Sequence, residues 1–133
     1  SFLVALLLPK DANHSRAVQA IEALGQVRLA DVLLTTNNVV LETITVALYE
    51  GSNRVAVRAG ELLYGGSMVS LYRTTAEDEA EAFAHFRRHH DKEYSAVDCL
   101  SFVVMLKRGI TEAFAFDEDF AHHFVMRPGP NRK

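Results

Sequence analysis

At 133 residues, 49% of them hydrophobic and 23% charged, the chain has the size and composition of one globular domain able to bury a core without disulfides or structural metal. Its net charge of −3 excludes a globally basic nucleic-acid binder, so any contact with a polyanion must come from a local cluster of Lys and Arg. The one cysteine, Cys99, cannot form an internal disulfide, and the expected compartment is the cytoplasm.

The chain opens on Ser1-Phe2 without an initiator methionine, and a preceding segment is expected. Phe2 to Leu8 reads as a buried element stopped by Pro9; it is far short of the ~18 residues that span a bilayer, and no membrane association is expected. Ser15 to Leu24 has helical spacing at Ala17, Val18, Ile21 and Leu24, with Gly25 as its stop. Val27 to Thr35 is strand-like. Asn37 or Asn38 is expected to cap a helix running to Glu50, and a further helix covers Arg54 to Tyr64 before Gly65-Gly66.

Met68 to Tyr72 reads as a strand. Thr74 or Thr75, with Glu77 and Asp78, opens a helix to about His90, and Ser95 to Arg108 is the next. Ala113 to Phe116 and Phe124 to Met126 are short strands, and residues 127–133 form an expected flexible tail behind a single domain over 1–126. Alternation of short strands with amphipathic helices predicts an α/β fold with a mostly parallel sheet.

The acids carry the chemical information. Steps of three and four from Glu42 reach Val39, Val46 and Tyr49, which predicts a carboxylate on a buried stripe. The same steps from Asp98 reach Phe102 and Met105. A buried carboxylate needs a cation or donors around it. Asp117 and Asp119 come just after the strand ending at Phe116, on the side of a parallel sheet where ligands bind. Carboxylates of this kind suit Mg²⁺ or Mn²⁺.

Each acid also has a structural reading. Ser95-x-x-Asp98 has capping-box spacing, Asp117 can cap a short helix, and an arginine partner accounts for a buried Glu42.

The stretches LLTTNNVVLETITVAL around Glu42, EYSAVDCLSFVVM around Asp98, and AFAFDEDF around Asp117 and Asp119 resemble the PIN domain, and within it the VapC toxins. The opening SFLVALLLPKDANHSRA resembles the segment downstream of the family's N-terminal Asp-Thr/Ser-Ser motif. This resemblance implies a three-layer α/β/α sandwich and an endoribonuclease using Mg²⁺ or Mn²⁺ on Glu42, Asp98, Asp117 and Asp119. It places the first family aspartate two positions before Ser1. It also implies an RNA substrate, a small protein antitoxin and a homodimer. The alternatives are a PIN-like binding module without catalysis and a PIN nuclease of RNA processing outside any toxin pair.

Other polar groups read more plainly. Arg54 and Arg58 lie one turn apart beside Glu61 and fit a solvated face ahead of an RNA grip. Arg87-Arg88 and Lys107-Arg108 complement the C-terminal dipoles of their helices. Asp91 reads as a loop or cap residue. His85 and His89 are four apart but lack the glutamate of a zinc protease motif, so exposed histidines are expected. A receiver-type acid cluster would need a lysine where Asp117-Glu118-Asp119 stand.

Overall fold

The computed structural model describes residues 1–91, 93–116, 120–121 and 123–129. They form seven helices, α1 (Phe2–Leu7), α2 (His14–Glu22), α3 (Leu29–Val32), α4 (Asn37–Glu50), α5 (Asn53–Tyr64), α6 (Ala76–Arg88) and α7 (Ala96–Lys107), and four strands, β1 (Leu34–Thr36), β2 (Ser70–Tyr72), β3 (Glu112–Phe114) and β4 (Val125–Arg127). The chain divides into two compact units, Ser1–Tyr72 and Arg73–Lys133.

In the first unit β1 pairs in parallel with β2, Thr35 opposite Leu71. Helices α4 and α5 connect these strands, as a parallel pair requires. Around them, Val4, Leu8, Ala47, Ala56 and Ala59 form a core, with Ile44, Val46 and Val55 against it. Small residues let α5 approach α4 closely: a Cβ on Gly60 would lie 3.2 Å from Ile44 Cδ1. Val40 and Leu63 are fully buried, each contributing roughly 2 kcal/mol of apolar transfer. His14 Nδ1 lies 2.8 Å from Ala5 O and ties α2 to α1.

The second unit repeats the parallel arrangement with β3 and β4, Ala113 opposite Met126. Its core gathers Ala82, Tyr94, Cys99, Leu100, Phe102, Ala113, Ala115 and Phe124. Phe102 is at its centre, with Tyr94 edge-on at 5.1 Å and Phe120 edge-on at 5.0 Å between ring centroids. Both α6 and α7 begin with complete capping boxes: Thr75 with Asp78, and Ser95 with Asp98. Helix α7 ends on a Schellman motif, in which Ile110 N–H donates to Met105 O and Gly109 N–H to Leu106 O. That turn requires the left-handed φ of +68° at Gly109.

Parallel strands between helices bear out the α/β class. Three local expectations need correction. The Val27–Thr35 run is not one strand: Leu29–Val32 forms a helical turn and only Leu34–Thr36 pairs. The cap of α4 is Thr36, whose Oγ1 accepts from Val39 N, not Asn37 or Asn38. The expected tail does not start at residue 127, since Arg127 belongs to β4; residues 130–133 lie outside the described part.

Candidate functional site

Asp98 sits at the third position of α7, half-buried, where the box geometry fixes its carboxylate. Asp98 Oδ2 accepts from Ser95 N at 3.1 Å, and Ser95 Oγ accepts from Asp98 N at 3.0 Å. Oδ1 accepts no hydrogen bond among the described residues, so Asp98 can cap α7 and still present one oxygen to a ligand. Its negative charge is felt next door. Burial first, and then Asp98, push the Cys99 thiol above its ordinary value, which keeps this buried cysteine protonated and inert.

Glu42 is exposed on α4, so the buried-stripe argument for it is corrected. The line that faces inward is Val40, Thr43 and Ala47, while Tyr49, from the proposed stripe, is 81% exposed. Helix α4 is apolar on several sides, so spacing alone admits more than one stripe. Thr43 tolerates full burial because its Oγ1 donates to Val39 O at 2.8 Å. Asp117 and Asp119 lie outside the described residues.

The described residues hold no group of three or more His, Cys, Asp or Glu side chains arranged to bind a metal. Of the four expected acids, Glu42 and Asp98 are described, one in each unit. As a donor set, carboxylate oxygens without thiolate or imidazole fit a hard divalent cation.

The fully buried carboxylate of the chain's described part is Asp78. Asp78 Oδ2 accepts from Thr75 N at 2.9 Å, and Lys107 Nζ approaches Oδ1 at 2.5 Å. Lys107 thus has a specific partner beyond the helix dipole. The signal was the Thr75-x-x-Asp78 spacing, the same pattern as Ser95-x-x-Asp98.

The histidines also depart from expectation. His85 and His89 stack with centroids 4.1 Å apart, and His85 also meets Phe102 and His123 at 5.9 and 6.2 Å. His85 Nδ1 is buried without a hydrogen-bond partner among the described residues. Desolvation foremost, then His89, Arg88 and His123, lower its basicity. These contacts join α6 to segments beyond residue 90, which local sequence patterns do not reveal.

Arg58 pairs with Glu61 at 3.5 Å on a well-exposed face of α5, as the solvated reading of that helix expects. Asp91 is exposed in the turn after α6.

The PIN domain family matches residues 1–123. The 23S rRNA-specific endonuclease VapC20 of Mycobacterium tuberculosis, from two strains, is 36% identical over 121 residues, covering 91% of this chain and 88% of the relative. The crystal structure of Mycobacterium tuberculosis VapC20, described as a sarcin-ricin loop cleaving toxin, matches with a TM-score of 0.82 over 92% of this chain and 89% of the other.

Proposed function

The chain belongs to the PIN-domain family, and from that premise we propose that it is a metal-dependent endoribonuclease, the toxin of a toxin–antitoxin pair. The observation that carries this reading is the 36% identity along 91% of the chain to an endonuclease specific for 23S rRNA. The proposed substrate is RNA, with a sarcin-ricin stem-loop as the first target to try. A small protein antitoxin and a homodimeric state belong to the same reading, and the compartment is the cytoplasm.

Glu42, Asp98, Asp117 and Asp119 are the proposed carboxylates, and Mg²⁺ or Mn²⁺ is the proposed cofactor. Such a cation, when bound, polarises the scissile phosphate and lowers the pKa of a water nucleophile. The protein's own contribution is best defined at Asp98. Ser95 holds one carboxylate oxygen through its backbone N–H, which fixes the orientation of the other toward a ligand and limits the rearrangement that binding requires. Support for the carboxylate set comes from the order of acids shared with the family and from the oxygen-only chemistry.

The test is incubation of the full-length protein with a sarcin-ricin stem-loop RNA in Mg²⁺ and in Mn²⁺. Discrete cleavage that stops on chelation is expected. RNA left intact with either metal contradicts the proposal.

A further inference from the structure

Helix α6 carries a second surface that neither its fold nor the acids explain. Its inward line is Asp78, Ala82, His85 and His89, buried or half-buried. A different stripe, at spacings of three, four and seven, is Phe83, Phe86, Arg87 and His90. Phe83 is 56% exposed and Phe86 41%. Their rings stack at 6.5 Å between centroids, and the Arg87 guanidinium lies 5.3 Å over the Phe83 ring. Together with His89 these residues line an open cavity of about 390 Å³.

Two adjacent phenylalanines on the wet side of a helix have an unfavourable hydration cost and no helix-propensity advantage. Arg87 forms no ion pair among the described residues, and Arg88 adds a second positive charge beside it. Aromatic faces next to two arginines match the requirements of an unstacked base and its flanking phosphates. The patch lies in the same unit as the proposed acid Asp98. His89 packs against Tyr94 at 5.9 Å, and Tyr94 immediately precedes Ser95, the cap that holds Asp98.

We propose that Phe83, Phe86 and Arg87 form a base-stacking subsite for single-stranded RNA on α6. The inference rests on the endoribonuclease reading and deepens it: an unpaired base of the bound RNA stacks on the phenylalanines while Arg87 engages a backbone phosphate. The three residues act in substrate positioning and take no part in bond cleavage.

The experiment measures binding by the full-length protein, in chelator, of a fluorescein-labelled unstructured RNA of ~12 nucleotides and of an abasic ribose-phosphate oligomer of equal length. Phe83→Ala/Phe86→Ala should weaken binding of the base-bearing RNA about tenfold and leave the abasic oligomer unaffected, whereas Arg87→Ala should weaken both. In cleavage assays the double variant should raise KM and preserve kcat. Equal binding of RNA by wild type and double variant overturns the subsite, as does an equal loss for both oligomers. A wild-type dimer turned to monomer by the double variant, with RNA affinity intact, identifies a copy–copy interface and also overturns it. A wild type that cuts RNA beside an indistinguishable variant sinks the subsite alone; a wild type that neither binds nor cuts RNA sinks the endoribonuclease reading with it.

Discussion

Lys107 near the end of α7 places its ammonium 2.5 Å from the carboxylate of Asp78 in the first turn of α6, and that carboxylate is fully buried. One interaction therefore fastens the start of one helix to the end of the next, because Asp78 also accepts from Thr75 N. The histidine and aromatic cluster lies further along the same helix pair.

Asp78→Ala removes the ion pair and the side-chain half of the capping box, while Thr75 Oγ1 still accepts from the backbone N–H of residue 78, and should lower stability by roughly 1 to 3 kcal/mol. Lys107→Met should cost at least as much as Asp78→Ala, since it leaves the fully buried Asp78 carboxylate without its cation, whereas the ammonium left by Asp78→Ala is 41% exposed and can turn to water. Urea denaturation of the two variants checks the order. Equal and small losses would show that the buried pair does not hold α6 to α7.

Gly109→Ala should destabilise by about 1 to 2 kcal/mol, the cost of a left-handed backbone for an L-residue, because the Schellman turn after α7 needs φ of +68° there. Gly109→Asn should cost less, since asparagine tolerates that region. Thermal unfolding of the pair tests this; no difference from wild type would mean the helix end reorganises freely.

His85 gives the protein a pH dependence of definite sign. Its burial and the neighbouring His89, Arg88 and His123 hold the imidazole below its ordinary value of 6.5. The unfolded chain therefore takes up a proton first as pH falls, so stability declines below that value until the folded imidazole itself titrates. Tm measured from about pH 7 to about pH 5 should fall in wild type and fall less in His85→Phe. Identical slopes would remove His85 as the source.

Much of this architecture was legible because helices announce themselves locally. The spacing of Ala17, Val18 and Ile21, the Thr75 cap and the glycines at 25, 65 and 109 bracket their helices to within a few residues. The run from Val27 to Thr35 misled because Val and Leu favour a buried strand as readily as a short buried helix, and the four residues of α3 show no period. Glu42 misled because α4 offers several apolar lines and only packing selects Val40, Thr43 and Ala47. The Asp78–Lys107 pair and the His85 cluster are tertiary contacts, 29 and 38 residues apart in sequence for Asp78–Lys107 and His85–His123, so nothing local marks them. The Ser95-x-x-Asp98 spacing signalled a cap correctly and left the further role of Asp98 to family resemblance.

Asp98→Asn tests the central claim most directly, because the amide oxygen can still accept from Ser95 N while the charge is lost. The account predicts that RNA cleavage by the full-length protein disappears, with unfolding free energy lowered by no more than about 1 kcal/mol. Undiminished Mg²⁺-dependent cleavage by a folded Asp98→Asn protein would contradict it.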